Sequence, residues 1–304
     1  MDSGPTSLRQ SASQRRAIKG WSMIVDCHTH ISAADSGLEA SEHLTAAEKV
    51  DVCIVLAEPE DSGRPRSADP ASPERFAEAR ALRNGEDVNN RLSEYVARHQ
   101  EKLVGFAFVD PTKDAVGVKN VTSLTKKLDL KGVVLYCSTC GFHPAHSRAM
   151  QFYESACELG LPVFFHNGGA IRPDAVLDYA QPYLLDEIAR TFPALRIVVG
   201  TMGIPFVEQT LCLAAKHENV YADLTIEPDN VWQVYNMVVA AHEHGVMDKL
   251  LFGSGYPTGN VQRCMETLLG FNKLLADTNL PTVPRGTIQN IIERDALKLL
   301  GIEK

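Results

Sequence analysis

The chain alternates eight short apolar runs with longer segments of helical period, and this alternation restricts the folds that it can adopt. The runs are rich in β-branched residues and have the length of buried strands. They lie at residues 23–28, 51–57, 103–109, 131–136, 161–166, 195–200, 219–224 and 248–254. Eight strand-then-helix units in a chain of 304 residues are typical of an α/β fold, the (β/α)8 TIM barrel, rather than of an open sheet. We therefore predict a single barrel domain over residues 23–304.

Apolar residues recur at helical spacing between several of the predicted strands. Three such stripes consist of Ala149, Phe152, Tyr153 and Ala156; of Val261, Cys264, Met265 and Leu268; and of Ile288, Ile291, Ile292, Ala296, Leu299 and Leu300. Each stripe predicts helical structure that packs one face on the barrel. The last stripe stops at Gly301, a residue type that commonly follows a helix.

Residues 1–22 precede the first predicted strand and lack the apolar core of a secretory signal. Arg9, Arg15, Arg16 and several serines are typical of a transit peptide. We interpret this segment instead as a disordered extension.

The composition favours a soluble domain that binds a small molecule. Hydrophobic residues make up 44% of the chain and charged residues 22%, and no apolar run has membrane-spanning length. The formal net charge of −8 and the absence of a stretch dense in Lys and Arg argue against a nucleic-acid partner. We expect a small-molecule substrate and neither a nucleic-acid nor a membrane partner, and the sequence leaves a homo-oligomer open.

The seven cysteines are scattered and odd in number, which is not the pattern of a secreted disulfide scaffold. We therefore expect a reducing, cytoplasmic location. Cys137 and Cys140 have the spacing of half a zinc or redox site. Because no second pair of this kind exists, we interpret them as two ordinary thiols.

Two histidines follow the first apolar run, in Asp26-Cys27-His28-Thr29-His30. Alternate residues of a strand share one face, so His28 and His30 direct both imidazoles toward one point. Two imidazoles on a rigid element form half of a four-coordinate metal site. The alternative is a pair of polar residues at a strand end.

A third histidine, His166, ends the fifth predicted strand and is followed by Asn-Gly-Gly. Ligands and substrates of a barrel lie at the carboxyl ends of its strands. We therefore predict that His166 joins His28 and His30, although a histidine with a structural hydrogen bond would give the same pattern.

Two long segments follow strands on this same face of the predicted barrel. Residues 59–73 contain four prolines with Arg64 and Arg66, and they form either a lid or a solvated insertion. Residues 137–147 carry His143 and His146, which line the pocket or lie on the surface.

The chain resembles the metal-dependent amidohydrolases, in the branch of aminocarboxymuconate-semialdehyde decarboxylase-like barrels, over about residues 23–302. The resemblance rests on six segments: Asp26-Cys-His-Thr-His30, Lys131-Gly-Val-Val-Leu-Tyr136, Leu161-Pro-Val-Phe-Phe-His166, residues 194–203, Asn219-Val-Tyr-Ala-Asp223 and Leu251-Phe-Gly-Ser-Gly-Tyr-Pro257. It implies a metal bound by two histidines of strand one, a histidine of strand five and an aspartate of strand eight. It also implies a catalytic histidine after strand six. His28, His30 and His166 match this pattern.

The chain departs from the family at two catalytic positions. Thr201 stands where the family has the histidine after strand six, and Gly255 stands where it has the aspartate after strand eight. Glycine has no side chain that could bind a metal or accept a proton, and a threonine hydroxyl does not titrate near neutral pH. Metal binding through three histidines is therefore better supported than catalysis.

Other residues at predicted strand ends could replace the missing groups. Asp223 is our first candidate for a catalytic residue because its strand neighbours the last one, and an ordinary strand-end carboxylate is the alternative. Glu58, Asp110 and Cys137 lie on the same predicted face.

The resemblance implies a hydrolase that uses metal-activated water on a small carboxylated or cyclic substrate, with one divalent ion, zinc, as cofactor. We predict that Arg172, Arg64 or Arg66 binds a substrate carboxylate, with Tyr136 and His143 as further pocket residues. Two alternatives stay open. One is a pseudoenzyme or binding barrel that keeps the three-histidine site, and the other is a decarboxylase of the same branch.

Overall fold

The computed structural model describes residues 23–31, 38–59, 88–167, 173 and 175–304. In these residues eight parallel strands form one sheet in chain order. Their bounds are Val25–Thr29 (β1), Val52–Leu56 (β2), Leu103–Phe108 (β3), Gly132–Leu135 (β4), Val163–Phe165 (β5), Ile197–Val199 (β6), Val220–Thr225 (β7) and Leu250–Gly253 (β8). Each predicted strand is present within two residues of its predicted bounds, and the (β/α)8 barrel is confirmed.

Helices follow the strands and cover the outside of the barrel. They are Leu38–Ala47 (α1), Val88–Ala97 (α2), Val118–Lys126 (α3), Cys137–Cys140 (α4), Ser147–Glu158 (α5), Leu185–Thr191 (α6), Val207–Lys216 (α7), Val231–Glu243 (α8), Val261–Leu269 (α9), Arg285–Ile292 (α10) and Ala296–Leu299 (α11). Short 3-10 turns lie at Leu177–Ala180, Pro182–Leu184, Gly200–Gly203, Met247–Lys249 and Phe271–Leu275. None of these described helices is long and apolar enough to cross a lipid bilayer.

The first and last strands meet just beyond the end of β8. The amide of Gly255 donates to the carbonyl of His28 at 2.8 Å, and the amide of His30 donates to the carbonyl of Tyr256 at 2.9 Å. These two bonds join the segment after β8 to the end of β1. The closure therefore fixes the backbone on both sides of His28 and His30.

Every strand contributes side chains to the inside of the barrel. The buried cluster there includes Val25, Ile54, Phe106, Val134, Phe164, Val198, Tyr221 and Leu251, one from each strand. Such alternation follows from the two-residue period of a strand, which directs the intervening residues outward against the helices. Polar residues that face inward lie beyond this apolar layer, at the carboxyl ends of the strands.

The predicted stripes are buried except for Met265 and Leu299, which are half-buried, and the last stripe is divided between two helices. Ile288, Ile291 and Ile292 of α10 pack in the outer core, whereas Ala296, Leu297 and Leu300 join the cluster inside the barrel. Asp295 separates the helices, and its side chain accepts a hydrogen bond from the amide of Lys298 at 3.1 Å. A break is needed because one straight stripe could not face two cores.

Candidate metal centre

Three histidine rings converge at the carboxyl end of the barrel. His28 lies in β1, His30 directly follows it, and His166 directly follows β5. The Nε2 atom of His28 lies 2.9 Å from Nε2 of His30 and 3.1 Å from Nε2 of His166. All three side chains are buried. Within the described part of the chain, they form the one group of three His, Cys, Asp or Glu residues with ligand atoms this close.

The spacing of the three Nε2 atoms fits a tetrahedral metal site. Zinc binds imidazole nitrogen at about 2.0–2.1 Å, which places neighbouring nitrogens of a tetrahedron about 3.4 Å apart. The observed separations are slightly shorter, so small side-chain rotations would accommodate an ion. The rings meet edge to face at interplanar angles of 64° to 81°. These residues therefore fit a divalent ion.

The opposite edge of the His28 ring is held by residues of β7. Asp223 Oδ2 lies 2.5 Å from His28 Nδ1, and Thr225 Oγ1 lies 2.8 Å from the same nitrogen. The Thr225 hydroxyl and the amide of Thr201 also donate to Asp223 Oδ2, at 2.6 and 3.0 Å. Asp223 thus contacts Nδ1 of His28 and does not lie among the three converging Nε2 atoms.

The second histidine is oriented by the end of β2. His30 Nδ1 lies 3.2 Å from the carbonyl oxygen of Leu56 and 3.2 Å from Glu58 Oε1. A bond from Nδ1–H to the carbonyl leaves the lone pair of Nε2 free to face the centre. The Glu58 side chain is 15% exposed, and its Oε1 atom, which faces His30, is buried.

An aromatic wall borders the third histidine. The ring of Tyr136 lies 4.5 Å from that of His166, and Phe108 packs edge to face on Tyr136 at 5.8 Å. The hydroxyl of Tyr136 donates to the carbonyl of Ala57 at 3.0 Å. Tyr136 therefore offers its ring, rather than its hydroxyl, to this side of the centre.

The two positions that depart from the family pattern also lie at this end of the barrel. Thr201 follows β6 in a turn where it adopts φ 51° and ψ 41°, a left-handed conformation that is unusual for a β-branched residue. Gly255 has φ +67°, and a Cβ atom built there would lie 2.7 Å from Cγ2 of Thr225. Both positions border the centre, and neither carries a group that titrates near neutral pH.

The aspartate of the histidine motif, Asp26, links β1 to the segment after β8. Asp26 Oδ1 accepts hydrogen bonds from the amides of Ser254 at 2.9 Å and His28 at 3.2 Å. Burial raises the pKa of Asp26 to about 6. We interpret Asp26 as a structural link between β1 and the end of β8.

The remaining sequence candidates lie in several places. Burial raises the pKa of Asp110, but hydrogen bonds from Thr112 and Lys113 outweigh this effect and hold its pKa below the usual value. The Cys137 side chain packs in the outer core, where burial raises the pKa of its thiol. His143 accepts a hydrogen bond from the amide of Ala145 at 3.0 Å.

Several predicted features fall on parts of the chain that are not described. Arg64, Arg66, Arg172, most of the segment 59–73 and the extension 1–22 lie outside the described residues. One participant was missed at the sequence level, namely Thr225. The signal was available, because Asp223 and Thr225 alternate on β7 and so share its inward face.

The sequence model of the family described as Amidohydrolase matches residues 25–302. The chain belongs to the amidohydrolase family. No curated protein matches it. Several solved structures share the fold of this amidohydrolase, although their sequence identity to it is low.

Three of these structures illustrate the range. An uncharacterized TIM-barrel protein from Bordetella bronchiseptica has a TM-score of 0.63 and 17% identity, covering 91% of this chain and 98% of its own. A probable 2-pyrone-4,6-dicarboxylic acid hydrolase from Acinetobacter baumannii, with citric acid bound, gives 0.57 and 14%, covering 92% and 100%. A dihydroxybenzoic acid decarboxylase from Polaromonas sp. JS666, with bound manganese and 2-nitroresorcinol, gives 0.56 and 14%, covering 92% and 97%.

Proposed function

We propose that this amidohydrolase is a metal-dependent hydrolase of small carboxylated or cyclic substrates. The observation that carries the proposal is the convergence of Nε2 of His28, His30 and His166 at the mouth of the barrel. Three neutral imidazoles with an open fourth position are a donor set of catalytic zinc sites. Zinc is therefore the ion that we propose, and manganese, present in the Polaromonas decarboxylase, is the alternative ion.

When bound, a divalent ion would polarise a substrate carbonyl and make water more acidic. The protein's own part is to keep Nε2 of His28 and of His30 aimed inward, through the hydrogen-bond partners of their Nδ1 atoms. Glu58 places a mostly buried carboxylate beside His30. Tyr136 stays a pocket candidate from the sequence, and its ring, which is 2% exposed, packs beside His166.

The rest of the substrate site is proposed from the sequence. Arg172, Arg64 and Arg66 are our candidates for binding a substrate carboxylate, because guanidinium groups bind carboxylates in a bidentate manner. His143 is a further pocket candidate. We also propose a cytoplasmic protein with a small-molecule substrate.

Two other functions each have an observation in their favour. A decarboxylase is supported by the manganese-containing dihydroxybenzoic acid decarboxylase, whose fold this chain shares. A pseudoenzyme that retains the metal is supported by Thr201 and Gly255, which leave two family positions without acid or base chemistry. Loss of one acid or base group typically slows an enzyme about 10²–10⁴-fold.

Turnover measured together with metal content separates these functions. Protein loaded with zinc or manganese is incubated with lactones, amides and carboxylated aromatic acids, and hydrolysis products and carbon dioxide are both measured. We expect hydrolysis that is lost in His28→Ala and retained in His242→Ala, a matched change at an exposed histidine of α8. Carbon dioxide release alone would assign a decarboxylase, and bound metal without turnover would assign a pseudoenzyme. Failure of the wild-type protein to bind either metal would contradict all three.

A further inference from the structure

The carboxylate of Asp223 is fully buried, and its environment is built around one oxygen atom. Oδ2 accepts hydrogen bonds from the hydroxyl of Thr225 and the amide of Thr201, at 2.6 and 3.0 Å, and lies 2.5 Å from Nδ1 of His28. Burying a carboxylate costs several kcal/mol unless hydrogen bonds or opposite charge compensate for the lost water. Two hydrogen bonds and the close contact to His28 on one oxygen hold this carboxylate in a fixed position.

The neighbouring strand leaves room for this arrangement. A Cβ atom at Gly253 of β8 would lie 2.0 Å from Oδ1 of Asp223 and 2.9 Å from Cβ of His28. No side chain is compatible with that position unless the pair moves. The glycine that ends β8 therefore permits the contact between Asp223 and His28.

This contact selects one tautomer of His28. An ionised carboxylate oxygen only accepts hydrogen bonds, so the contact to Asp223 Oδ2 favours a proton on Nδ1 of His28, close also to Thr225 Oγ1. Nε2 then carries a lone pair on the side where His30 and His166 lie. In the other tautomer Nε2 would carry the proton and could not bind a metal.

We propose that Asp223 is a positioning residue that acts through His28, fixing its metal-binding tautomer and supplying the negative charge that Gly255 does not provide. The inference rests on the proposed metal-dependent function. In the family pattern a carboxylate after β8 would contact the ion directly. Here the carboxylate is one imidazole away, on β7, where it makes the His28 ring a stronger electron donor.

The first test uses metal-free protein, so it does not depend on metal binding. Long-range 1H–15N NMR of 15N-histidine-labelled protein distinguishes the two tautomers, and the His28 signals are assigned from their absence in His28→Gln. We expect the Nδ1–H tautomer in the wild type. The Nε2–H tautomer there would overturn the inference, whatever the protein's activity.

The second test measures zinc affinity by competition with a chromophoric chelator. Asp223→Asn keeps the shape and an acceptor oxygen but removes the charge, and we expect zinc to bind about 10- to 100-fold more weakly. Asp186→Asn is the matched control, because Asp186 also contacts a histidine, His217 Nε2 at 2.7 Å, on the outside of the barrel. It should leave zinc affinity unchanged.

A second variant covers the case in which Asp223→Asn does not fold. Thr225→Val removes the hydroxyl that bonds to both partners, and we expect a smaller loss of zinc affinity in the same direction. Melting temperature is measured for every variant. A lower melting temperature with unchanged zinc affinity would show a purely structural role and overturn the inference. A wild type that binds no zinc but shows the Nδ1–H tautomer would contradict the proposed function while supporting the positioning of His28.

Discussion

His43 should make the protein less stable in acid, and the size of the effect follows from its environment. The side chain of His43 in α1 is 1% exposed and packs against the ring of Tyr256 at 5.0 Å. Its Nδ1 lies 2.8 Å from the hydroxyl of Tyr95, and its Nε2 has no hydrogen-bond partner among the described residues. Burial lowers the pKa of His43 from 6.5 to about 4, because the charged form loses its water.

The sign follows from comparing the two states. Between pH 6.5 and 4 the unfolded chain binds a proton at His43 and the folded protein does not, so the free energy of unfolding falls as the pH falls. The stability that the neutral His43 contributes is fully present above pH 6.5. With these two pKa values the loss is about 2 kcal/mol at pH 5 and about 3 kcal/mol at pH 4.

The assay compares urea unfolding of wild type and His43→Asn between pH 7 and pH 4, in the presence of a chelator. Asparagine can keep a hydrogen bond to Tyr95 but does not titrate. The difference between the two free energies of unfolding at each pH isolates the contribution of His43, since the other titrating groups are present in both proteins. Among them is Asp26, whose raised pKa acts in the opposite direction because its folded form binds a proton more readily. If the free energy of unfolding had the same pH dependence in both proteins, the reasoning would be refuted.

Three further predictions concern the end of the barrel. Gly253→Ala should lower the free energy of unfolding by more than about 3 kcal/mol and weaken zinc binding, because its Cβ would lie 2.0 Å from Asp223. The control Gly117→Ala, with its nearest contact at 3.9 Å, should leave zinc affinity unchanged in chelator competition and lower the free energy of unfolding in urea by no more than about 1 kcal/mol, because Gly117 caps a helix. Thr201→Asn should raise the melting temperature, since asparagine tolerates a φ of 51° about 1 kcal/mol better than a β-branched residue, and an unchanged or lower value would contradict this. The double variant Thr201→His and Gly255→Asp should hydrolyse substrate about 10²–10⁴-fold faster, because it restores an acid or base group at each position. Its stability should be lower, because φ is +67° at Gly255. Equal rates for wild type and double variant would contradict a loss of catalytic groups at these positions.

The barrel was predictable from the sequence because its signal is repeated eight times. Each strand needs only a short apolar run, and an error at one end does not change the count. The convergence of His28, His30 and His166 followed from the same regularity, since strand ends of a barrel share one face. The division of the last apolar stripe into two helices was not predicted. The sequence of residues 293–295 is also compatible with a continuous helix, and the break is explained only by the two separate cores on which the helices pack.

The role of Asp223 shows what the sequence could not provide. It was predicted to end the seventh strand and lies inside β7, two residues before Thr225, and either position is consistent both with a catalytic base and with a partner of a histidine. Choosing between them requires the 2.5 Å contact to Nδ1 of His28, which depends on the relative rotation of strands 195 residues apart in the chain. The left-handed turn at Thr201 was also not predictable, because threonine ordinarily avoids that conformation.

X-ray absorption at the zinc edge, on protein reconstituted with one equivalent of zinc, tests the three-histidine centre most directly. The account predicts a first shell of nitrogen or oxygen at about 2.0–2.1 Å, with multiple scattering from three imidazole rings, and loss of one ring in His166→Ala. A first shell containing sulfur at about 2.3 Å would place the ion on cysteines such as Cys137 and Cys140 instead. That result, or an unchanged spectrum in His166→Ala, would contradict the central claim.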